Sequence, residues 1–377
     1  MSMRKAFLKM HVLCVLVCFF GCVPKKTGWS RDMTYQSTRE KNPGQSGMGK
    51  LICFGRYALS VTEDADLIFG AVSIPDDISL IRDEFDSERS YVANEIARIN
   101  KISRTAKITY NALGPSENSW QIRYFENKFA EQDGTLFFTT FVTKWKYTFV
   151  IGDAVGSGEK EADVASRQSI LAHSIRMRAE DDIPADPGFC VQQGFVEDAR
   201  YVRQEMVSAG IYFPGLPDVT FSISSNKNAY IDYPSGEFER RVRGELSLLA
   251  RIKSAKDLQG IHYPERTVLR EGKRKVQHWK GEESLIRRSD RTHDFEWAFV
   301  GTPGDVANPS EFNVKMYTKV AHNVVGAADK SSLSDEEAVA LWDKLLSGLK
   351  FRVKVPGAPE ASYYFLPGAP TDAAAKP

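Results

Sequence analysis

The sequence has few cysteines, no excess of either charge and no apolar run long enough to cross a bilayer. Among its 377 residues are 5 Cys, and 50 basic residues stand against 49 acidic ones. This balance argues against a nucleic-acid partner, because a phosphate backbone selects basic surfaces. The apolar run at 10–20 has eleven residues, whereas a membrane-spanning helix needs about twenty. A hydrophobic content of 42% with 26% charged residues is ordinary for a globular protein.

Signatures of catalysis and of metal binding are also scarce. "GQSGMG" at 44–49 lacks the spacing of a nucleophile elbow, and "GDAVGSGEK" at 152–160 lacks the ending of a phosphate-binding loop. The histidines are dispersed, and no cysteine cluster offers zinc ligands. His293 has acidic neighbours that could orient an imidazole, although a surface hairpin explains them equally well. We therefore predict no catalytic residue, no metal site and no cofactor, and expect that the chain is not an enzyme.

The N-terminus has the three-part layout of an export signal. Arg4, Lys5 and Lys9 precede the apolar run, and Gly21–Cys22 closes it with a small residue. Residues 19–22, "FFGC", are similar to a bacterial lipoprotein box, so we predict a signal peptide at 1–21 and lipidation of Cys22. Ordinary cleavage near Gly21 and an uncleaved anchor are the alternatives. Removing 1–21 leaves 47 basic and 49 acidic residues, a net charge of −2.

Two further cysteines, Cys53 and Cys190, remain in the exported chain. An even number in an oxidising compartment indicates a disulfide between them. The alternative is a pair of buried free thiols.

The pattern between the termini predicts an α+β fold of two tandem domains, each a mainly antiparallel sheet with a few packed helices. Aromatic and β-branched runs predict strands, including "TLFFTTFVTKWKYTFVIGDAV", "DVTFSISSN", "AYIDYP" and "EFNVKMYTKV", and the alternation in "CFGRYALSV" at 53–61 predicts another. Near the C-terminus, Ser334 and Glu337 form the capping-box pattern of a helix that ends at Gly348. We place a flexible tether at 22–48, the domains at 49–182 and 183–355, and a Pro/Ala-rich tail at 356–377. "HSIRMRA" and "SGLKFRV" align at an offset of 174 residues, which an internal repeat and a chance match between short motifs explain equally well.

The most charged segment, "REGKRKVQHWKGEESLIRR" at 270–288, surrounds Trp279. Basic residues beside an aromatic can bind an acidic protein surface, so Lys273, Arg274, Lys275 and Trp279 are candidate partner-binding residues. A solvated hairpin with Trp279 in the core is the alternative.

Several stretches together resemble the type 4 immunity proteins for type VI secretion lipase effectors. They are "CFGRYALSV" at 53–61, "GFCVQQGFV" at 188–196, "WKGEESLIRR" with "FEWAF" in the second half, and "SDEEAVALWDKLLSGLKFR" near its end. The resemblance covers about residues 50–355 and implies an N-terminal and a C-terminal immunity domain in this order. The tether and the tail lie outside it.

The resemblance implies a periplasmic immunity protein that binds and inhibits a cognate phospholipase effector and protects the producing cell. With Cys22 lipidated, the expected location is the periplasmic side of the outer membrane. The expected partner is the lipase, held between the two halves, and nucleic acid is not expected. The alternative from another class is an envelope lipoprotein with a structural or assembly role.

Overall fold

The computed structural model describes residues 49–82, 90–156, 158–318 and 331–366. The predicted signal peptide, Cys22, the tether and the last part of the tail lie outside these ranges. Within them, no helix is long and apolar enough to cross a membrane.

The first half begins with a hairpin and ends with a helix and a short strand. Its elements are β1 (Lys50–Phe54), β2 (Tyr57–Val61), β3 (Asp66–Ser73), β4 (Asp77–Arg82), α1 (Ser90–Ile102), β5 (Lys107–Leu113), β6 (Ser119–Phe125), α2 (Lys128–Asp133), β7 (Phe137–Lys144), β8 (Tyr147–Ala154), α3 (Glu161–Ser174) and β9 (Ile175–Met177).

The second half repeats the order of the strands and of the helices α1 and α3, and among the described residues it has no counterpart of α2 between β15 (Trp279–Arg288) and β16 (His293–Phe299). Its elements are β10 (Gly188–Val191), β11 (Gly194–Glu197), β12 (Met206–Tyr212), β13 (Thr220–Asn226), α4 (Leu248–Gln259), β14 (Arg266–Val276), β15 (Trp279–Arg288), β16 (His293–Phe299), β17 (Glu311–Tyr317), α5 (Asp335–Ser347) and β18 (Leu349–Phe351). Short helical turns at Ser235–Glu237, Phe238–Val242 and Arg243–Glu245 precede α4.

Twelve strands form one sheet in the order β14-β15-β16-β17-β13-β12-β3-β4-β8-β7-β6-β5. Counted outward from its centre, the second half contributes its strands in the same order as the first. The equivalent strands β12 and β3 pair antiparallel where the halves meet. This equivalence of element order and pairing supports the internal repeat.

The short strands that end each half pair with the hairpin of the other half. β9 pairs with β11, and β18 pairs with β2. The backbone N–H of Arg178, just after β9, donates to the Gln193 carbonyl, and that of Arg352, just after β18, donates to the Arg56 carbonyl. Arg56 and Gln193 therefore occupy equivalent positions in the two hairpin turns. The described residues from Gly49 onward form one compact unit.

The main core lies on one face of the central strands, which we call the core face. Val207, Ala209 and Ile211 of β12 and Phe221 and Ile223 of β13 are buried there. They alternate with half-buried polar or small residues, because successive side chains of a strand point to opposite faces. The two hairpins, α3 and α5 cover the core face. The buried side chains that the helices contribute include Leu171 of α3 and Trp342 of α5.

The predicted α+β fold with antiparallel sheets and packed helices is confirmed. The predicted helix near the C-terminus is α5: the Ser334 hydroxyl accepts from the Glu337 N–H at 3.2 Å, and the Glu337 carboxylate accepts from the Ser334 N–H at 2.9 Å. Its N-terminal cap is therefore the capping box that the sequence indicates. Two strand predictions differ from the structure. Residues 53–61 form a hairpin instead of one strand, and "AYIDYP" forms turns before Pro234 instead of a strand.

Candidate partner-binding site

The face of the central sheet opposite the core face is lined by small and polar side chains. Its central rows follow the register across β12, β13 and β17, because residues paired across strands share a face. The rows are Ser208, Ser224 and Asn313, then Gly210, Ser222 and Lys315, then Tyr212, Thr220 and Tyr317. None of the buried apolar clusters formed by the described residues lies at the centre of this face.

The same open face continues into the first half through β3, β4 and β8. Ile68 pairs with Gly210, and Asp77 pairs with Gly152. A Cβ built on Gly152 would meet no atom within 4 Å, and one built on Gly210 would meet only the Ile68 carbonyl oxygen at 3.9 Å. The glycines therefore lower the floor of this face instead of filling tight turns.

A helix from each half stands on this face, at either side of the central strands. Val92 and Ile99 of α1 pack with Phe141 of β7, and Val150 of β8 packs against this cluster. Val150 and Gly152 lie two residues apart on one strand and so share a face. α1 and the open strands are therefore on the same side of the sheet.

α4 occupies the corresponding place in the second half. The Arg251 guanidinium donates to Glu296 Oε1 at 3.2 Å, and the Asn313 amide donates to the same oxygen at 3.1 Å. The Leu249 N–H donates to Glu282 Oε2 at 2.8 Å, which anchors the first turn of α4 on β15. We call the resulting feature the central groove: its floor is β17, β13, β12, β3, β4 and β8, and its walls are α1 and α4.

The groove contains charged side chains of both signs as well as hydrogen-bond donors and acceptors. The Lys315 ammonium lies 3.8 Å from Glu296. Burial, with the nearby charges of Asp294 and Glu296, raises the pKa of Tyr317 to about 12, so its hydroxyl remains a donor at neutral pH. Burial, with the Asp153 charge, raises the pKa of Asp77. Such a surface can bind a polypeptide through its polar groups.

The charged segment 270–288 forms the hairpin of β14 and β15, with β14 at one end of the sheet. Lys273 and Lys275 are exposed on it. Arg274 is not free: its guanidinium donates to Glu283 at 2.8 Å and to Asp343 of α5 at 2.6 Å. Lys273 and Lys275 remain candidates for contact with a partner, and Arg274 joins the hairpin to α5.

The expectation that Trp279 contacts a partner is corrected by its position. Its side chain is only 1% exposed, and its indole N–H donates to the Ala307 carbonyl at 2.8 Å. It stacks on Phe312 with ring centres 5.2 Å apart and meets Phe351 edge to face at the same distance. Nonlocal aromatic partners hold it in the core, as the alternative interpretation of the sequence proposed.

The two hairpins that cover the core are joined to each other. The structure links Cys53 of β1 to Cys190 of β10, with Cα atoms 5.9 Å apart, a separation usual for a disulfide. Gly55 and Cys190 exchange two backbone hydrogen bonds of 2.8 Å beside it. The predicted pairing therefore lies where each half meets the other.

A buried ion-pair network strengthens the same junction. The Arg56 guanidinium donates to Asp198 Oδ2 at 2.6 Å and to both carboxylate oxygens of Glu205 at 2.7 and 3.0 Å. Lys227 Nζ lies 3.6 Å from Glu205. Burial alone would lower the pKa of Arg56, but the two carboxylates outweigh it and raise the pKa. Each half thus supplies one part of a charge-balanced network.

The histidine singled out from the sequence is part of the core. His293 bonds to Asp335 of α5 through Nε2 at 2.9 Å and contacts the Thr318 hydroxyl through Nδ1 at 3.2 Å. It does not pair with its neighbour Asp294, which pairs with Arg288. At 2% exposure, the imidazole is closed to a substrate. Within the described ranges, no group of three metal-ligating side chains comes together.

The sequence predicts a partner held between the two halves but not the sheet face that forms the central groove, although a signal for that face is present. "SAG" in β12 and "SIS" in β13 alternate small polar residues with buried apolar ones. Two adjacent strands with this pattern have one face of small polar side chains, which leaves room for a partner to approach the sheet. The run "MVSAGIY", which forms β12, is not among the predicted strands.

Comparisons with known proteins identify two consecutive family models. The Tle cognate immunity protein 4 N-terminal domain matches residues 50–185, and the C-terminal domain of the same name matches residues 182–354. A comparison with curated proteins finds no significant match.

Three solved structures share the fold. The apo immunity protein TplEi of the type VI secretion system from Pseudomonas aeruginosa has 21% identity and a TM-score of 0.61, over 80% of this chain and 97% of that one. TplEi complexed with "L" peptide has 22% identity and a TM-score of 0.59, over 80% and 98%. A crystal structure of the Tle4–Tli4 complex has 22% identity and a TM-score of 0.63, over 80% and 97%.

Proposed function

The chain belongs to the Tle cognate immunity protein 4 family, and we propose that it binds and inhibits a cognate type VI secretion phospholipase effector in the periplasm. The observation that carries this proposal is the match of both family domains, in order, over residues 50–354. A similar fold occurs in a complex with Tle4, which supports an effector as the partner. The producing cell would be protected because the captured lipase cannot reach phospholipid.

The dimensions of the central groove support a protein partner. At a strand spacing of about 4.8 Å, the four paired strands β17, β13, β12 and β3 are about 14 Å wide, and strands of seven residues are about 24 Å long. This part of the floor has roughly 350 Å², whereas a stable interface needs about 800 Å² from each partner. A bound lipase must therefore also contact β4, β8 and the walls, α1 and α4, and thus both halves. A mobile lid of the lipase, held closed in the groove, would block activity without contact to the nucleophile.

We also propose that Cys22 anchors the protein to the outer membrane by lipidation. The charged N-terminus, the short apolar run and "GC" support this proposal. Stable attachment needs more than one acyl chain, because a single chain gives only marginal binding. Val23 follows the lipid-bearing cysteine in place of the aspartate that favours retention in the inner membrane.

The test is survival of cells that express a periplasmic lipase. The lipase to be tested is sought among the genes that neighbour this one; it is exported to the periplasm with and without the full chain, and viable cells are counted. A lipase with its nucleophilic serine replaced by alanine controls for toxicity unrelated to hydrolysis. We expect the full chain to restore viability by several orders of magnitude. Equal killing at equal levels of the protein would contradict the proposed function.

A further inference from the structure

The hairpin of β3 and β4 is open, although both strands belong to the central sheet. They pair only at Ser73 and Asp77, beside the turn. Beyond this point β3 remains paired with β12, and β4 pairs with β8 along all six of its residues. Within the described ranges, the edges that β3 and β4 turn toward each other therefore lack strand partners.

The second half shows the same hairpin in closed form. β12 and β13 are the equivalents of β3 and β4, and they pair without interruption from Met206 and Asn226 to Tyr212 and Thr220. Exposure follows this difference: Ile68 of β3 is 59% exposed, and Gly70 and Ala71 are exposed as well, whereas no residue of β12 is. The opening is therefore a property of the first half and not of the repeated architecture.

A cavity lies against the core face of β3. It has a volume of about 470 Å³, and its apolar lining residues are Leu67 and Phe69 of β3, Leu51 and Ile52 of β1, and Ile183. This volume lies in the range of pockets that take a large side chain or a small ligand. Leu67 and Phe69 belong to the core face. The cavity and the central groove therefore lie on opposite faces of β3.

The mouth of the cavity is acidic. Asp66, Glu180 and Asp181 line it together with Lys50 and Arg178. Arg178 is engaged by backbone carbonyls, including those of Ala179 at 3.0 Å and Asp182 at 2.8 Å. A guanidinium bonded to carbonyl oxygens keeps its charge, so among the described residues three carboxylates face two cationic side chains, and the Glu180 carboxylate also accepts from the Gln193 amide. The net charge of −1 (two positive, three negative) favours a cationic group beside the apolar one.

We propose that the open edge of β3 is a docking site for an extended segment of the partner protein, which adds to the sheet as a strand. Backbone hydrogen bonds supply the attachment, and alternate side chains supply specificity. The side chains of such a strand point alternately to its two faces. One set enters the cavity beside Phe69 on the core face, and the other set lies beside Ile68 on the face of the central groove. The chemistry selects a large apolar residue for the cavity with a lysine or arginine near the acidic mouth. The inference rests on the proposed function, because the segment is assigned to the lipase that occupies the groove.

Amide hydrogen exchange of the full chain, free and mixed with the purified lipase from the neighbouring gene, tests this inference. About half of the amides of a one-sided edge strand point away from their partner strand. We expect these amides in residues 66–71 to exchange rapidly in the free chain and at least tenfold more slowly in the complex. Residues 206–212 are the internal control, because β12 is paired on both sides and should change little.

A pair of variants separates the edge from exposed apolar surface in general. Ile68→Lys should weaken lipase binding at least tenfold while leaving the urea midpoint unchanged. Leu113→Lys, on an exposed residue (70%) of the distant edge strand β5, should bind like the unmodified chain. A complex in which residues 66–71 still exchange rapidly, or in which Ile68→Lys binds normally, would overturn the strand addition and leave the proposed function standing. If no complex forms, the proposed function is contradicted, and this inference is contradicted with it.

Discussion

Replacing Arg56 by methionine tests whether the buried ion-pair network holds the two halves together. Arg56 comes from the first hairpin, and its partners Asp198 and Glu205 come from the second half. The side chains of Arg56 and Asp198 are each 2% exposed, and that of Glu205 is 6% exposed. Methionine keeps much of the volume and removes the guanidinium, so the cation that remains beside the two carboxylates, among the described residues, is Lys227, 3.6 Å from Glu205.

The magnitude follows from the loss of a buried charge partner. Removing one member of a buried ion pair usually costs about 3–5 kcal/mol. Protonation limits this loss of unfolding free energy, because one of the two buried carboxylates of the folded variant can bind a proton instead of staying charged. For one aspartate with an ordinary pKa near 3.9, this protonation costs about 4 kcal/mol at pH 7 and about 1.5 kcal/mol at pH 5. We therefore expect a loss of about 3–5 kcal/mol at pH 7 and about half of that or less at pH 5.

Urea unfolding at several pH values measures this effect. The folded variant retains a proton that its unfolded chain releases, so the free energy of unfolding of Arg56→Met should fall as the pH rises from 5 to 8. Arg241→Met is the matched control, because Arg241 has two carboxylate partners but its side chain is 55% exposed. Its urea midpoint should stay close to that of the unmodified chain.

A loss below about 1 kcal/mol at pH 7, as is usual for an exposed ion pair, would refute the reasoning. A loss of full size that does not change between pH 5 and 8 would show that packing, not the unpaired carboxylates, causes the effect.

Four further outcomes are expected. Replacing Cys53 and Cys190 by serine should lower the free energy of unfolding by up to about 5 kcal/mol, because the link spans 137 residues; equal urea midpoints for both forms, or free thiols in periplasmic material, would contradict the disulfide. Burial, together with the Asp153 charge, raises the pKa of Asp76 to about 7. The folded chain therefore holds a proton between pH 4 and 7 that the unfolded chain releases. The free energy of unfolding should fall as the pH rises through this window. Asp76→Asn should flatten this dependence, and an unchanged slope in urea unfolding would reject the assignment. Lys273→Glu with Lys275→Glu should slow association with the lipase at low salt and have little effect at high salt, and an equal rate at low salt would remove this hairpin from the interface. Cys22→Ala should abolish lipid labelling and membrane partition, and unchanged partition would exclude the lipid anchor.

Features that depend on near neighbours in the chain were predictable. The cap of α5 depends on Ser334 and Glu337, three residues apart, and helix caps follow such local patterns. The hairpin at 270–288 was one of the two interpretations that its sequence allowed. "AYIDYP" has a strand-like composition, but Pro234 starts helical turns there, so tertiary context overrides β propensity.

Features that depend on distant partners were not predictable. Trp279 has charged neighbours in sequence, and its burial is decided by Phe312 and Phe351, which the local pattern does not show. The aligned segments 173–179 and 347–353, which end the two halves, are compatible with a repeat. They do not show that the short strand in each segment pairs with the hairpin of the other half. The opening between β3 and β4 likewise depends on which strands each edge meets.

Titration of lipase activity with the purified protein tests the central claim most directly. The lipase from the neighbouring gene is assayed on phospholipid vesicles and on a soluble ester while the full chain is added in steps. We predict that vesicle hydrolysis falls linearly to near zero at one equivalent, because a large interface gives tight binding. Full hydrolysis in the presence of a tenfold excess of the folded protein would contradict the account.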